Sequence, residues 1–341
     1  MYNNITIKTL AKELNVSIAT VSKALKDRHD IGVATKQRVV ELAHKLNYIP
    51  NPYAGGLRKR KSKTIALVLP EVADSFFSLA INGIEATAQE KEYHVLIYLT
   101  HESFTKEQAI LKDFQSGRVD GVLMSITSET STHNHIQELY DSGMPIVFFD
   151  RVCESIDTAK ITTDDFEGGY KATQHLIDCG CKKIALLSIS TSLSISNKRM
   201  EGYKKALDDN HIKFSPSDIV QCSNDAEKSY NSIKKLLSHR SRPDGIIATV
   251  EKFTTNTYLA CKELGLFIPG DVKVISFSNL PTAPILNPSL TTITQPAFEM
   301  GKAASTVLFK ALNKSSFNLK QESIVIPSVL TVRGSTATQT K

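Results

Sequence analysis

From Thr64 onward, short apolar runs rich in β-branched residues alternate with longer segments of helical periodicity. Such runs are typical of buried strands, and a helical segment between two of them supplies the crossover that parallel pairing requires. The predicted strands are TIALVLP, HVLIYL, GVLMSI and PIVFFD, followed by KKIALLSI, DIVQ, DGIIATV and VKVISF. The predicted helices are 76–91, 106–117, 134–142, 168–179, 199–210, 227–239 and 254–265. This alternation restricts most of the chain to an α/β fold with two parallel sheets in tandem.

Two open parallel sheets in tandem also predict where a small molecule binds. Ligands of such sheets lie beyond the carboxyl ends of the strands, so two sheets that face each other enclose a cleft. Soluble sugar-binding proteins are built in this way, and the sequence therefore predicts a small-molecule site between the two halves.

The N-terminal part has a different pattern, of three short helices. Thr6 precedes apolar residues at helical spacing and is placed to cap a first helix, and Ser17 is placed to cap a second. Only Asn15 and Val16 separate the two, which predicts a helix-turn-helix. A third helix over 35–46 closes a small core.

The net charge of +6 is distributed unevenly along the chain. Residues 1–63 contain thirteen Lys and Arg against four Asp and Glu, a net charge of +9, which leaves −3 for residues 64–341. A basic segment on a slightly acidic body indicates a polyanion bound by that segment alone. The alternative is a solvated basic face with no partner.

On the second helix, the side chains that point away from the predicted core suit the major groove of DNA. Hydroxyl groups suit phosphate oxygens, and small apolar side chains suit the methyl group of thymine. Lys23 suits O6 and N7 of guanine, or a phosphate. The residues predicted to contact DNA from this helix are Ser17, Ile18, Ala19, Thr20, Ser22 and Lys23.

The run from Ile5 to Pro70, above all its pieces NVSIATVSKAL and LNYIPNPYAGGL, resembles the DNA-binding head and first core strand of the lactose/galactose repressor (LacI/GalR) family. The resemblance implies that Ile18, Ala19 and Lys23 read bases. The further DNA contacts predicted are Thr6, Lys26, Tyr48, Asn51, Ala54, Leu57 and Arg58.

The resemblance also implies a hinge helix over about residues 52–58 that folds on operator DNA, with Leu57 wedged into the minor groove. Unstacking a base step costs a few kcal/mol and is offset by the contacts of the bent duplex. Gly55 and Gly56 together cost a helix about 2 kcal/mol relative to alanine, and so short a helix is marginal alone. We therefore expect an unfolded hinge in the free protein. Gly55 also stands where the family usually has a longer polar or basic residue, which leaves one phosphate contact without its side chain.

The remainder resembles the core of the same family, which is like a periplasmic binding protein. The segments that carry this resemblance are FDRV, TTDDFEGGY, RMEGYKKAL, LGLFIPGDVKVISFSN and LTTITQPAFEMG. The predicted domains are a helix-turn-helix domain (1–50), a hinge and linker (51–63) and an effector-binding and dimerisation core (64–341). Within the core, the predicted N-subdomain is about 64–162 and 293–322, and the predicted C-subdomain is about 163–292 and 323–341.

The predicted effector contacts lie near the ends of strands in both halves of the core. Phe76 or Phe77 can stack on a sugar or base ring, or belong to the core. Arg151 can clamp hydroxyls or an anionic group, and Arg199 matches the family arginine that faces the effector. The full set is Asp74, Phe76, Phe77, Ser125, Arg151, Asp165, Arg199, Asn224, Glu251 and Ser278. For Asp165, a helix cap is the alternative role.

Two departures from the family bear on the identity of the effector. Ser278 stands where the family commonly has an aspartate that binds effector hydroxyls, and Glu251 is the candidate to replace that carboxylate. Asn224 stands where purine-sensing relatives have a stacking aromatic residue. The sequence therefore disfavours a purine, and a sugar or sugar phosphate remains.

Two other function classes fit the core less well. A solute-binding protein of a transport system would share the fold, but the N-terminus lacks the apolar run of a signal peptide and carries the basic head instead. An enzyme is disfavoured because the chain has no phosphate-binding loop, no G-x-S-x-G elbow and no clustered metal ligands. We therefore predict no catalytic residue, no cofactor and no metal.

The scattered cysteines and histidines support the same conclusion. Five cysteines, odd in number and far apart, are typical of reduced thiols and not of a disulfide framework. The pair Cys179 and Cys181 lacks further metal ligands nearby, which favours a structural role. His133 and His135 are interpreted as part of a solvated loop.

The sequence thus predicts a cytoplasmic, sequence-specific transcriptional regulator, most simply a repressor, that acts as a homodimer. A dimer is expected because one head reads only a few base pairs, whereas two heads read a palindromic site. A sugar-like effector in the cleft would modulate its affinity for operator DNA. Both release and promotion of DNA binding by the effector are compatible with the sequence.

Overall fold

The chain divides into two units between Lys61 and Ser62 in the computed structural model, which describes residues 5–48, 62–314 and 317–337. We call residues 5–48 the head and the described residues from 62 onward the body. The head contains three helices, as predicted. They are α1 (Ile7–Glu13), α2 (Ile18–Ala24) and α3 (Val33–Lys45).

The helices of the head pack as their sequence predicts, and α2 has the predicted Ser17 cap. Ser17 Oγ accepts a hydrogen bond of 3.0 Å from the backbone N–H of Thr20, which satisfies one of the free donors at the start of α2. At the start of α1 the backbone N–H of Thr6 donates to Thr9 Oγ1 at 3.3 Å. The core of the head consists of the buried residues Leu10, Ala11, Val21, Ala24, Val39 and Ala43.

The body has two halves, each with one six-stranded sheet. The elements of the first half are β1 (Thr64–Leu69), α4 (Ser75–Glu90), β2 (His94–Leu99), α5 (Phe104–Phe114), β3 (Gly121–Met124), α6 (Asn134–Asp141), β4 (Ile146–Phe149), β5 (Lys160–Thr163), α11 (Ala297–Asn313) and β11 (Ile324–Ile326). Those of the second half are α7 (Asp165–Asp178), β6 (Ile184–Ser188), α8 (Ser194–Asp209), β7 (Ile219–Gln221), α9 (Ala226–Ser238), β8 (Gly245–Ala248), α10 (Lys252–Glu263), β9 (Lys273–Phe277), β10 (Thr291–Thr294) and β12 (Val329–Thr331).

The two sheets repeat one topology. The strand order is β11-β5-β4-β3-β1-β2 in the first and β12-β10-β9-β8-β6-β7 in the second. Pairing is parallel throughout, except that β12 runs antiparallel to β10. The central strands β1, β3, β4, β6 and β8 are buried along their whole length, as expected for sheets covered on both faces. The predicted fold class, a helix-turn-helix head on a core of two parallel α/β halves, is confirmed.

The chain passes between the halves three times, after β5, after β10 and between β11 and β12. The last crossing lies further along the chain than the sequence suggests. β11 pairs with β5, so Ile324–Ile326 belong to the first half, although 323–341 was predicted to belong entirely to the second. The connections are also joined to each other, since the backbone N–H and the hydroxyl of Ser328 both donate to Asp164 Oδ1, at 2.7 and 2.6 Å.

Close packing of α7 on α8 brings the residues of the site together. A Cβ atom at Gly202 would lie 2.0 Å from the carbonyl oxygen of Phe166, and one at Gly169 would lie 2.2 Å from that of Arg199. Only glycine permits this approach, because any side chain would overlap the backbone of the facing helix. The start of α7 therefore lies directly against Arg199. Among the described residues, no helix combines the length and apolar character needed to cross a membrane.

Candidate functional site

The head exposes most of the side chains that the sequence assigns to DNA. Ile18 is 45% exposed, and Ser17, Ala19, Lys23, Lys26 and Thr6 are also exposed. Thr20 and Ser22 are half-buried, and Tyr48 is half-buried against the core of the head. The opposite face of α2 contributes Val21 and Ala24 to that core. The exposed face of α2 is thus free to contact another molecule.

Two basic side chains of the head already have acidic partners. Lys23 Nζ lies 2.6 Å from Asp30 Oδ2, and Lys36 Nζ lies 2.7 Å from Asp27 Oδ1. Each lysine lowers the pKa of its aspartate, chiefly through the hydrogen bond. Lys23 and Asp30 are exposed, and surface ion pairs of this kind contribute little to stability, so a binding partner of Lys23 can displace the aspartate readily. The predicted contacts Asn51, Ala54, Leu57 and Arg58, with the hinge glycines, lie outside the described residues.

A cleft with about 350 Å³ of empty space, part of it open to solvent, lies between the halves of the body at the carboxyl ends of their strands. Its position agrees with the prediction from parallel-sheet topology. The residues that line it are Asp74, Phe76, Phe77, Asp150, Arg151, Ile195, Arg199, Thr249, Val250, Glu251, Phe277, Ser278, Asn279 and Gln295.

Arg199 is held on three sides within this cleft. Its Nε donates to Asp165 Oδ1 at 2.8 Å, and its Nη1 donates to the carbonyl oxygen of Thr249 at 2.5 Å. The guanidinium carbon lies 4.1 Å from the centre of the Phe277 ring, a cation–π contact. Burial raises the pKa of Asp165 despite the opposing charge of Arg199. This arginine is a fixed, neutralised donor in the wall of the cleft.

Arg151, which follows β4, is held less completely. Its Nη1 donates to Glu102 Oε1 at 2.7 Å, and Glu102 Oε2 accepts from the backbone N–H of Ser128 at 2.7 Å. Burial acts to raise the pKa of Glu102, but the charge of Arg151 and these hydrogen bonds outweigh it and lower the pKa below its ordinary value. Nε of Arg151 is buried without a hydrogen-bond partner. The arginine therefore keeps one donor for a ligand.

Glu251, between β8 and α10, joins the two halves across the cleft. Its Oε1 accepts from the hydroxyl of Ser75 at 2.8 Å and from the backbone N–H of the same residue at 3.2 Å, in the first half. Its Oε2 accepts from the hydroxyl of Ser278 at 2.7 Å and from the backbone N–H of Asn279 at 3.2 Å, in the second half. Glu251 thus occupies the space beside Ser278 where the sequence suggested a replacement carboxylate.

Two further carboxyl groups of the cleft have perturbed acidity. Burial raises the pKa of Asp74 to about 6, and the nearby charge of Glu251 adds to the shift. Burial also raises the pKa of Asp150 to about 6, against the attraction of Arg151 and Arg199. Asp150 Oδ2 lies 3.9 Å from Arg151 Nε, beyond hydrogen-bond length. Both carboxyl groups are therefore close to half-protonated near pH 6.

Apart from Arg199 Nη2, which lies 2.8 Å from its ion-pair partner Asp165 Oδ1, three polar atoms of the cleft lining are buried without a hydrogen-bond partner in the described part of the chain. They are the donors Arg151 Nε and Gln295 Nε2 and the acceptor Asn279 Oδ1. Buried polar groups almost always have a hydrogen-bond partner, so these three atoms mark positions for the polar groups of a ligand or for ordered water.

Three predicted effector contacts lie outside the lining of the cleft. Ser125 is fully buried and its hydroxyl accepts a weak 3.4 Å bond from the backbone N–H of Arg151. Asp165 is neither helix cap nor lining, because its carboxylate is turned toward Arg199. Asn224 is exposed and its amide donates to Ser128 Oγ at 2.8 Å, which links the two halves beside the cleft. These three residues position or connect other groups and do not face the ligand space.

The other seven predicted contacts do line the cleft, and the structure adds residues that the sequence analysis did not single out. Asp150 follows β4, Asn279 follows β9, and Gln295 follows β10. The signal that could have found them is their position just past the end of a strand. The additional residues are Asp150, Ile195, Thr249, Val250, Phe277, Asn279 and Gln295.

The histidines and cysteines contribute nothing to the cleft. His135 lies in α6 and not in a solvated loop. Its Nε2 is hydrogen-bonded at 2.9 Å to Oε1 of the buried Glu107. The five cysteines are free thiols, four of them buried. Within the described ranges, no group of three or more His, Cys, Asp or Glu side chains is arranged to hold a metal ion.

Comparison with known proteins assigns families to both units. Residues 62–333 match the family described as "Periplasmic binding proteins and sugar binding domain of LacI family", and residues 6–51 match "Bacterial regulatory proteins, lacI family". Catabolite control protein A of Priestia megaterium is 29% identical over 92% of this chain and 94% of its own length. The ribose operon repressor of Haemophilus influenzae is 29% identical over 92% and 94%. The relatives named are transcription regulators, not enzymes.

Solved structures agree with these matches. A LacI family transcriptional regulator from Enterococcus faecium with bound ribose is 27% identical, with a TM-score of 0.71 over 81% of this chain and 99% of that one. The lac repressor dimer bound to operator and an anti-inducer shares the fold, with a TM-score of 0.84 over 98% and 99% at 20% identity. Since the two family matches together span almost the whole chain, the protein belongs to the LacI family of DNA-binding transcriptional regulators.

Proposed function

We propose that the protein is a homodimeric repressor that binds a palindromic operator through α2 and its hinge, and that a sugar-like molecule in the cleft sets its affinity for that operator. Ile18, Ala19 and Lys23 read bases, and the proposed site of action is the cytoplasm, where the DNA is. The dimer matches the physical need for two heads on one operator and the dimer named for the lac repressor structure.

The observation that carries the sensing function is the bridge made by Glu251. Its carboxylate accepts from Ser75 in one half and from Ser278 in the other, so it lies between the halves where a ligand must enter. A ligand that replaces or completes these bonds binds more tightly to one arrangement of the two halves than to another. This difference in affinity shifts the equilibrium between the two arrangements. Ribose in the Enterococcus faecium structure supports a sugar-like compound as the ligand.

The test has two stages. Genomic fragments bound by the pure protein are selected and sequenced, and a palindromic consensus is expected. Operator affinity is then measured by fluorescence anisotropy with and without members of a sugar panel. A change in operator Kd that disappears in Gln295→Met, which loses the unpartnered Nε2 donor without leaving a buried charge unpaired, supports the cleft as the sensor. Selection of random fragments, or an effector response that Gln295→Met leaves intact, contradicts the proposal.

A further inference from the structure

The charges of the cleft are unbalanced toward the acidic side. Each arginine already has a buried carboxylate partner, Glu102 for Arg151 at 2.7 Å and Asp165 for Arg199 at 2.8 Å. Charges paired so closely cancel each other at a third position, because the fields of the two partners oppose one another. The two arginines therefore offer hydrogen-bond donors but little net positive potential.

Three more carboxyl groups line the cleft without a cation that is theirs alone. Asp150 Oδ2 lies 3.9 Å from Arg151 Nε, within ion-pair range but beyond hydrogen-bond length, and it shares this arginine with Glu102. Asp74 accepts a hydrogen bond from the backbone N–H of Phe76 at 2.8 Å. Glu251 is hydrogen-bonded to hydroxyl and backbone N–H groups. In the described part of the chain, no ion pair joins Asp74 or Glu251 to a lysine or arginine. With all groups ionised, the five carboxylates and two arginines in and behind the wall carry a net charge of −3.

The unpartnered polar atoms of the wall show what else the ligand must carry. Gln295 is 7% exposed and Arg151 is 3% exposed, yet Gln295 Nε2 and Arg151 Nε have no acceptor. Both line the cleft, and a buried donor of this kind calls for an acceptor such as a hydroxyl oxygen. Asn279 Oδ1, without a donor, calls for an N–H or O–H group. The wall is therefore complementary to at least two acceptor oxygens, such as those of hydroxyl groups, and to one N–H or O–H donor.

We propose that the effector of this cleft is a polyhydroxy compound with a protonated amino group, such as an amino sugar, and that the cleft rejects phosphorylated sugars. The amino group lies among Asp74, Asp150 and Glu251, and the hydroxyls accept from Arg151 and Gln295. This inference rests on the sensing function proposed above. The sequence left a sugar and a sugar phosphate as candidate effectors, and this inference excludes the sugar phosphate.

The acidity of the same carboxyl groups fits a cationic ligand. Burial and neighbouring carboxylates raise the pKa of Asp74 to about 6, and burial raises that of Asp150 to about 6. The charged groups that face them are Glu71, Glu102, Arg151, Asp165, Arg199 and Glu251. An ammonium group favours the ionised carboxylates and lowers both pKa values, whereas a phosphate raises them.

The first experiment compares ligands of similar framework that carry a positive, a neutral or a negative group. In the first set, Tris and pentaerythritol share three hydroxymethyl groups, and the fourth group is an ammonium group in Tris and a hydroxymethyl group in pentaerythritol. In the second set, glucosamine, glucose and glucose 6-phosphate share one sugar ring. Thermal shifts of the full chain are recorded at pH 6.5 and constant ionic strength, with inorganic phosphate as the anionic probe. In at least one set, we expect the ammonium compound to reach half-saturation at a concentration at least ten-fold lower than its neutral partner requires. We expect inorganic phosphate to cause no thermal shift. A phosphorylated probe that binds as tightly as its neutral partner, or no preference for ammonium in either set, overturns the inference.

Proton linkage supplies a readout that does not depend on affinity. At pH 6, calorimetric titration in two buffers of different ionisation enthalpy should show proton release with the ammonium ligand that binds most tightly. Release follows because binding lowers the pKa of carboxyl groups that are half-protonated at this pH. Proton uptake, or no exchange, contradicts an ammonium among these carboxylates.

Matched variants assign the preference to the cleft. Asp74→Asn keeps the capping bond to Phe76 and removes one charge, and we expect the ammonium preference to fall at least five-fold. Asp150→Asn is the second variant and should act in the same direction. Glu85→Gln, on the exposed face of α4, removes the same charge outside the cleft and should leave the preference unchanged. A preference that survives both aspartate variants overturns the assignment.

Different experimental results would contradict the proposed sensing function and the proposed charge of the ligand. If a phosphorylated sugar changes operator affinity through the cleft, the charge inference is wrong and the sensing function stands. If amino compounds bind in the cleft with proton release but leave operator affinity unchanged, the charge inference stands and the sensing function is wrong.

Discussion

The head and the body expose their functional side chains to opposite degrees. In the head, Ile18 is 45% exposed and the Lys23 side chain is 52% exposed, whereas in the body Arg151 and Arg199 are 3% and 2% exposed. A surface that contacts a duplex from outside leaves its side chains in water until the duplex arrives. A cleft that encloses a small molecule must bury charged groups beforehand, and each of them then needs a buried partner. We therefore expect binding and stability to be separable in the head and inseparable in the body.

The strongest test of this contrast is Arg199→Leu. The substitution leaves Asp165 buried without its cation, and breaking such a pair costs about 3–5 kcal/mol of the free energy of unfolding. The measurement is urea unfolding of the full chain followed by circular dichroism. Lys198→Ala is the matched control, because Lys198 pairs with Glu154 at 3.2 Å on the surface and should contribute less than about 1 kcal/mol. Equal losses in the two variants would contradict the inseparability of site and stability in the body.

The counterpart in the head is Lys23→Ala. Loss of a bidentate contact to guanine is expected to weaken specific operator binding by about 1–3 kcal/mol and to relax sequence preference at one position of each half-site. Operator and mutated-operator Kd values from fluorescence anisotropy measure this effect. Unfolding by urea should remain within about 0.5 kcal/mol of the parent, since the side chain is exposed.

Lys45→Ala provides the control for Lys23. Lys45 is exposed in the last turn of α3 and not on α2, and its removal changes the charge equally. A loss of affinity that is the same for specific and random DNA in both variants would show that Lys23 contributes charge and no base reading.

A smaller effect is expected from the pH dependence of the body. The pKa of Asp150 is about 6 in the folded protein, above the ordinary value of 3.8, so the folded state binds more protons than the unfolded state between these values. Stability therefore falls as pH rises from about 4 to about 6, and the loss persists above. Asp150→Asn should remove this loss, with a gain on the order of 2 kcal/mol at pH 7.5 relative to pH 4. Urea unfolding at both pH values measures it.

The control for this pH effect is Asp141→Asn, at the exposed end of α6. It makes the same chemical change without burial and should leave the pH dependence of unfolding as in the parent. If Asp150→Asn behaves like this control, the carboxyl group of Asp150 does not carry the expected desolvation penalty.

The smallest effect is expected from the ion pair between Lys23 and Asp30 in the head. Asp30→Asn releases Lys23 from its 2.6 Å ion pair and removes one negative charge near the DNA. Operator affinity should increase by less than about 1 kcal/mol, because exposed pairs are weak. Competition binding with parent and variant on one operator resolves a difference of this size. A decrease in affinity would show that Asp30 holds Lys23 in its binding orientation.

Local sequence patterns predict the head well because its structure depends on near neighbours. The hydrogen bond that begins α2 joins Ser17 and Thr20, three residues apart. In the body, the apolar central strands and the helices between them are likewise predictable from periodicity, but α11, the longest described helix of the body, is not among the predicted helices. The strands β5 and β10 are not, because their sequences KITT and TTIT are short, rich in threonine and lack an apolar run. Their pairing with distant strands, and not local preference, defines them.

The cleft shows where sequence reasoning ends. Strand topology predicts which loops reach it, and seven of the ten predicted contacts do line it. The direction of each side chain depends on partners far along the chain, such as Glu251 with Ser75, 176 residues apart. Asp165 and Arg199, 34 residues apart, meet only because Gly169 and Gly202 allow α7 and α8 to touch. No local pattern contains this information, so the sequence alone does not show that the side chains of Asp165 and Asn224 have hydrogen-bond partners within the protein.

The three connections between the halves have a mechanical consequence. β5 and β11 are neighbours in the first sheet, β10 and β12 are neighbours in the second, and Asp164 is fastened to Ser328 where two of the connections run together. Because the three connections run side by side, they allow the two halves to rotate about one common axis more easily than to twist against each other. Gln295 lies on one of these connections and also in the wall of the cleft. A molecule that bound Gln295 would therefore contact one of the three connections directly, at the place where the two halves are joined.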